Sequence, residues 1–320
     1  MSMFRITKLL LIVLITSFGC KNNGPQIEPE FDQEDFFYAS DQTGSFELWH
    51  WLHGSTVQLT SGDKQNNFWP RSNFDRSQIL YISTPAEDDI QNIQRSELHI
   101  LSNNSGVDQT IFASDTSSWK VHASPSWSTN GDKIVFSGKK YDTTSWQLII
   151  CDVDGKNPQI ISQRNEYDYF DPIFTNDDST IICAIAPSDE TPDSENLELF
   201  KIDVSTGQET RLTNNQTRDQ GPSINSTVDK VIFESLINPT YLSIGKWAIL
   251  ELDVNTGEVN TLIEDIHLNL APRFGNSDLI YFTKLDITEF KTGLYKYDRS
   301  TNSSQALIHE DYNALNIEPK

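Results

Sequence analysis

A proline returns along this chain at a nearly constant interval. Pro70, Pro125, Pro172, Pro222, Pro272 and Pro319 lie 55, 47, 50, 50 and 47 residues apart. Self-similarity on that scale marks an array of like supersecondary units. The third unit is the clearest. Ser124-Pro125-Ser126-Trp127 reads as a short strand, Ser128 to Asp132 as a polar turn centred on Asn130-Gly131, and Ile134-Val135-Phe136 as a second strand. Gln147 to Cys151 supplies a third strand, Asp152-Val153-Asp154-Gly155 a further turn, and Gln159-Ile160-Ile161 a fourth strand. Four antiparallel strands joined by tight turns make one propeller blade.

The other units keep the phase. Second strands start nine residues after their proline at Ile79, Ile134, Ile181 and Val231, and seven after it at Leu279, where the turn reads as shortened. Third strands run into related turns at Asp203 to Gly207, Asp253 to Gly257 and Asp298 to Asn302. The first unit begins at Phe36-Phe37-Tyr38-Ala39 as a second strand without a first. The sequence ends on Asn316-Ile317-Glu318-Pro319-Lys320, which has a first-strand pattern and no successor. The two ends therefore predict one shared blade, with a C-terminal strand pairing into the N-terminal unit and removing the exposed edge of an open array. The predicted fold is all-β, a six-bladed propeller over residues 36–320.

The string from Pro125 to Ser137 resembles the Pro-x-Trp-Ser-Pro-Asp-Gly-x-x-Ile-x-Phe repeat of the TolB propeller family, with Thr129 and Asn130 in place of the usual Pro-Asp. Other units are more degenerate: Ser72 stands where Trp127 does, and Asp177-Asp178 replaces Asn130-Gly131. The resemblance implies a propeller of the bacterial envelope. TolB proteins carry an additional N-terminal α/β domain. The segment between Cys20 and Phe36 is too short for one, so a propeller alone is expected. Propellers host many activities, so the repeat specifies architecture more than function.

Before the first strand the composition changes. Arg5 and Lys8 form a short positive region, and Leu9 to Ile15 is an apolar run of signal-peptide length, shorter than a membrane span. Ser17-Phe18-Gly19-Cys20 follows and resembles the lipobox of bacterial lipoproteins, which implies residues 1–19 as a signal peptide and Cys20 as the lipidated first residue of the mature chain. Residues 21–35 are rich in Asn, Pro, Gln and Glu, and read as a flexible tether. The expected location is the outer membrane, with the body facing the periplasm or the cell surface.

The formal charge is -22, from 24 Lys and Arg against 46 Asp and Glu. That balance argues against a nucleic-acid partner, which needs clustered cations. Neither a Gly-x-Ser-x-Gly elbow nor a phosphate-cradling glycine loop is present. No cofactor or metal is expected. His50 and His53 flank a turn and alternate in direction, His99 occupies a polar strand position, and His267 and His309 lie in connections or outer strands. The acidic stretch 188–195 reads as a solvated loop without calcium-loop spacing. Cys151 and Cys183 read as separate buried thiols.

The candidate ligand site is a ring of polar residues three positions before each proline: Asn67, His122, Tyr169, Asp219, Asn269 and Asn316. It is expected at one mouth of the central channel, with Arg218 and Arg273 at the same level for an anionic ligand. The function these features suggest is a monomeric, non-catalytic scaffold binding an envelope protein or peptide. The alternative is a glycan-binding or lyase-like propeller. Oligogalacturonate lyases share a related propeller, but use a manganese-holding histidine cluster with a His-x-His element that this sequence lacks. For a glycan, Trp49, Trp51, Trp69 and Trp146 are the candidate stacking faces.

Overall fold

The computed structural model describes residues 34–87, 93–143, 145–187, 196–215, 217–276 and 279–320. The leader, Cys20, the tether up to residue 33 and the acidic stretch 188–195 lie outside the described residues.

The chain forms six four-stranded antiparallel sheets arranged as a ring. The first blade holds β1 (Asp35–Ser40), β2 (Glu47–Leu52) and β3 (Ser55–Gln58). The second holds β4 (Gln65–Ser72), β5 (Gln78–Pro85), β6 (Glu97–Ser102) and β7 (Asp108–Phe112). The third holds β8 (Trp119–Trp127), β9 (Lys133–Lys140), β10 (Gln147–Asp152) and β11 (Gln159–Ile160). The fourth holds β12 (Tyr167–Phe174), β13 (Thr180–Pro187), β14 (Glu198–Asp203) and β15 (Glu209–Arg211). The fifth holds β16 (Arg218–Ile224), β17 (Lys230–Asn238), β18 (Lys246–Asp253) and β19 (Val259–Ile263). The sixth holds β20 (Leu268–Phe274), β21 (Leu279–Asp286), β22 (Lys291–Asp298) and β23 (Ser303–Ile308). Finally β24 (Ala314–Pro319) crosses back to β1, so the first blade has the order β24-β1-β2-β3. The predicted closure is present.

Second strands are apolar on both faces because a blade is covered on both sides by its neighbours. In β5, Ile79 to Ile82 are all buried, and in β13 the same holds for Ile181 to Ile185. The outermost strands see water on one edge, and β3 is exposed throughout. The core is accordingly distributed as six apolar clusters, one at each blade-to-blade interface. Leu80, Ile82 and Leu98 of the second blade meet Trp127, Ile134 and Phe136 of the third. At the closure, Tyr281, Leu294 and Ile308 of the sixth blade meet Phe36, Tyr38 and Ile317 of the first. Turn chemistry repeats as expected. Asp203, Asp253 and Asp298 each accept from the backbone two residues on, and Gly207, Gly257 and Asn302 supply the positive φ that such turns need.

Every inner strand carries a bulge at one place. Register shifts fall between Phe68 and Arg71, Ala123 and Ser126, Phe170 and Ile173, Gln220 and Ser223, and Leu270 and Arg273. The first bulged residue has positive φ in each: Trp69, Ser124, Asp171, Gly221 and Ala271. The proline follows it, where a missing N–H costs nothing because a bulge leaves that position unpaired. In β24 the shift separates the pairs Ala39↔Leu315 and Phe37↔Glu318, and the positive-φ residue is Asn316. The repeat phase therefore ends on Ile317, and Pro319 lies two residues beyond it. The turn after Pro272 is also corrected. Phe274 pairs with Ile280 where Ser72 pairs with Ile79, so it is one residue short and not two.

Ile317 is fully buried in the closing interface. Ile317→Ala is expected to cost about 2–4 kcal/mol through lost burial and a residual cavity. Urea unfolding monitored by tryptophan fluorescence measures it, and a loss well under 1 kcal/mol would contradict the role given to β24.

Candidate functional site

The six predicted ring residues do not form a ring in the channel. Asn67, His122, Tyr169, Asp219 and Asn269 are all buried between blades. Asn67 Nδ2 donates to Glu47 Oε2 at 2.8 Å, joining the second blade to the first. His122 packs between the Phe112 and Phe136 rings, with Nδ1 3.0 Å from the Ser96 carbonyl. Burial pulls its pKa down to about 4, so it is a neutral core imidazole. Tyr169 donates to Glu209 Oε1 at 2.5 Å, and burial pushes its phenol up to about 12. Asp219 accepts from Ser235 at 2.6 Å and from Thr217 at 2.9 Å, and burial raises it to about 6. Asn269 donates to Asp265 at 3.0 Å. These five are interface polar groups because the bulge two residues on turns the strand, and positions before it face the neighbouring blade. The sixth, Asn316, is not their equivalent. It is itself the bulged residue, and it alone of the six lines the central cavity.

That cavity has a volume of about 310 Å³ and is walled by the bulges of the inner strands. The positive-φ residue of each bulge, Asn316 in β24 included, faces it, together with Arg71, Arg273, Gln220 and Glu234. A bulge leaves a backbone N–H without a ladder partner, and the wall side chains take these up. The Gly221 N–H donates to Asp171 Oδ2 at 3.1 Å, the Ala271 N–H to Glu234 Oε2 at 2.5 Å, and the Trp69 N–H to Asn316 Oδ1 at 3.4 Å. Ser124 Oγ donates to the other oxygen of Asp171 at 2.5 Å, and Gln220 Nε2 to the other oxygen of Glu234 at 2.5 Å.

The charges are arranged around the closing strand. Arg71 Nη1 lies 3.6 Å from Glu318 Oε2, and Arg273 Nε lies 4.0 Å from the same oxygen on the other side. Both guanidiniums also donate to proline carbonyls, Arg71 to Pro70 and Arg273 to Pro222 and Pro272. Burial lowers the Arg71 pKa, against the pull of Glu318 and Asp171, and burial raises that of Glu318. Glu234 is pushed up to about 7 by burial, in spite of the N–H of Ala271 and the Gln220 amide that favour its charged form. Arg273 reaches the cavity as expected. Arg218 stands behind it, its Nε bonded to Gln220 Oε1 at 2.8 Å.

Asp171, Glu234 and Glu318 were not singled out from sequence. Glu234 carried a usable signal, a lone acid following Val231-Ile232-Phe233 in a strand buried on both faces. Asp171 and Asn316 become visible only when the phase is set by the bulge. Among the described residues no group of three or more His, Cys, Asp or Glu side chains is placed to hold a metal ion. His50 is paired to Asp35 at 2.8 Å, and His99 lies between Glu97 and Asp108. Cys151 and Cys183 are free and buried in different interfaces. Trp49 is buried in the closing core and Trp51 stacks on Phe36.

Glu234 ties pH to stability. Its folded pKa of about 7 lies above the ordinary 4.5, so the native state binds the proton more tightly than the unfolded chain. Stability contributed by the protonated form is full below 4.5 and is lost as pH rises through about 7. Glu234→Gln is expected to flatten the fall in unfolding free energy across that window by an amount on the order of 2–3 kcal/mol. Denaturant titrations at a series of pH values test this, and parallel profiles for the two proteins would place the proton elsewhere.

No family model matches the sequence, and no curated protein matches it. Solved structures do match in fold. TolB from Acinetobacter baumannii superposes with a TM-score of 0.69 at 14% identity, covering 90% of this chain and 67% of that one. A putative TolB from Agrobacterium tumefaciens gives 0.64 at 14% identity, with 90% and 98% covered. An oligogalacturonate lyase in complex with manganese gives 0.59 at 13% identity, with 88% and 75% covered. At these identities the likeness is one of fold, and the fold is that of the TolB-like six-bladed propellers.

Proposed function

We propose that this chain is a non-catalytic binding propeller of the bacterial envelope, tethered through a lipidated Cys20, which captures a peptide segment of a partner protein in its central cavity. The observation that carries the reading is the state of the cavity wall. Arg71, Arg273, Asp171 and Glu234 line it and are held by Glu318 or by backbone groups of the inner strands. Such a wall is pre-organised, so little ordering cost remains when a ligand enters. Its apolar stretches, Leu270, Ile173 and Leu315 among them, suit side chains, and its volume of about 310 Å³ suits a few residues at most. The structural kinship with TolB propellers supports the same direction.

A second reading, an oligosaccharide-active propeller, draws on Glu234. A carboxylate near neutrality in a cleft is placed to move a proton, and a lyase shares the fold.

Leu270→Trp fills the cavity from one wall. It is expected to abolish capture of a stoichiometric partner from envelope extract while leaving the melting temperature within a few degrees of wild type. Capture that survives the substitution would remove the cavity from the binding site. Turnover of acidic oligosaccharides by the wild type that is lost in Glu234→Gln would favour the second reading. Cys20→Ala is expected to move the protein from the membrane to the soluble envelope fraction; a variant that still sediments with membranes would rule out lipid anchoring at Cys20.

A further inference from the structure

Most cations of this acidic chain sit against a carboxylate, as Lys133 does with Asp152, Lys230 with Asp253 and Arg299 with Glu251. Three half-buried lysines on the rim of the second-to-third-strand loops depart from this. Lys120, Lys139 and Lys140 have no carboxylate within ion-pair distance among the described residues, and all three line one groove of about 400 Å³. Strand pairing brings them together. Lys139 and Lys140 end β9 opposite Val121 and Trp119, and Lys120 occupies the irregularity between those partners. Asp168 has a carboxylate that accepts from the Trp146 N–H at 2.7 Å and feels Lys139 only through its field. Three like charges gathered in this way work against folding.

The rest of the lining specifies the ligand further. Trp69 and Trp146 give it apolar walls. Lysine ammoniums are pure donors, and among the described lining residues only the Gln94 amide oxygen and the Tyr141 and Thr143 hydroxyls offer side-chain acceptors beside them. The Tyr141 hydroxyl donates to the Ser114 carbonyl, and the buried Thr143 hydroxyl has no partner among the described residues. A groove whose charged groups are three ammonium donors matches carboxylates, which only accept. Trp69 lines this groove and the central cavity alike, so the two are adjacent.

We propose that the groove binds an acidic stretch of the same peptide whose neighbouring residues enter the central cavity, with Trp69 as the wall shared by both. This inference rests on the cavity reading above and names the chemistry of its ligand. The body carries a strongly negative net charge, so general electrostatics would select against acidic peptides. An acidic preference would have to come from a local site.

The test is selection of a random peptide library displayed on phage against the wild type, the Lys120→Gln/Lys139→Gln/Lys140→Gln variant and the Leu270→Trp variant, each checked for a cooperative melt. Wild type is expected to enrich Asp and Glu, and the lysine variant to lose that enrichment. A synthetic peptide from the wild-type selection is expected to bind the lysine variant roughly 10- to 100-fold more weakly. Oligogalacturonate and inorganic phosphate, added as competitors at equal charge, are expected to leave the peptide bound. Enriched peptides without acidic bias, or equal binding to the lysine variant, would overturn this inference and leave the cavity reading standing. Displacement by oligogalacturonate at peptide-like concentrations would reassign the groove to a glycan, and by phosphate to a phosphorylated ligand. Failure of the wild type to select any peptide, or unchanged selection on Leu270→Trp, would bring down the cavity reading and this one with it.

Discussion

The blades of this ring cannot stand alone, and the pairing of β24 with β1 is what lets them stand together. Each interface core is contributed half by one blade and half by the next, so the second strands are apolar on both faces and have no water-facing side to fall back on. An open array of such blades would leave two large apolar faces uncovered, one at each end. Ring closure buries them against each other, and the closing strand adds Ala314 and Ile317 to that seam. It hydrogen-bonds to β1 on one edge, places Ile317 into the interface with the sixth blade, and sends Glu318 to Arg71 of the second blade and Arg273 of the sixth. Glu34 reinforces the same seam by accepting from Tyr281 at 2.7 Å and Lys296 at 2.8 Å across 247 and 262 residues of sequence. Most of these partners are buried, where an unpaired charge costs several kcal/mol, so the seam is also selective for correct register.

The inner bulges follow from the same closed geometry and create the cavity. Six strands converging on an axis must bend away from one another, and a bulge with one left-handed residue supplies the bend at the cost of an unpaired N–H. That residue is Trp, Ser, Asp, Gly, Ala and Asn in the six strands, so only one of them is the glycine that the conformation favours. Asp171, Asn316 and Glu234 are placed to accept the freed N–H groups of Gly221, Trp69 and Ala271. The polar wall is thus first a solution to a backbone problem, and its ligand-facing chemistry is built from groups that the fold already required.

This order of causes explains what could be read from the sequence. Blade number, strand order, turn residues and closure were legible because they rest on local patterns: proline phase, apolar runs such as Ile181-Ile182-Cys183, and Asp-x-x-x-Gly turns. The cavity was not. Its residues come from consecutive blades about fifty positions apart, and which of them face the axis depends on a bulge that shifts the alternation of side chains. Counting back three residues from Pro125 or Pro222 selects His122 and Asp219, which face a neighbouring blade; counting back one selects Ser124 and Gly221, which face the axis. Taking Pro319 as the sixth phase mark landed on Asn316 by a compensating error of two residues. The charges on second strands, Glu234 above all, fall outside any first-strand pattern.

Charge gives the proposed function its selectivity. The surface as a whole repels anions over the screening distance of about 8 Å at physiological salt, so acidic partners approach against the field and find local compensation where Lys120, Lys139 and Lys140 are gathered. A basic partner would meet attraction everywhere and geometry nowhere in particular. Requiring an acidic segment beside one that fits between Trp69 and Leu270 makes recognition depend on both features in a single peptide, because neither the lysines nor the small cavity offers much affinity alone. The unfavourable field thus raises specificity, since it removes the weak anionic binders that the lysine groove by itself would collect.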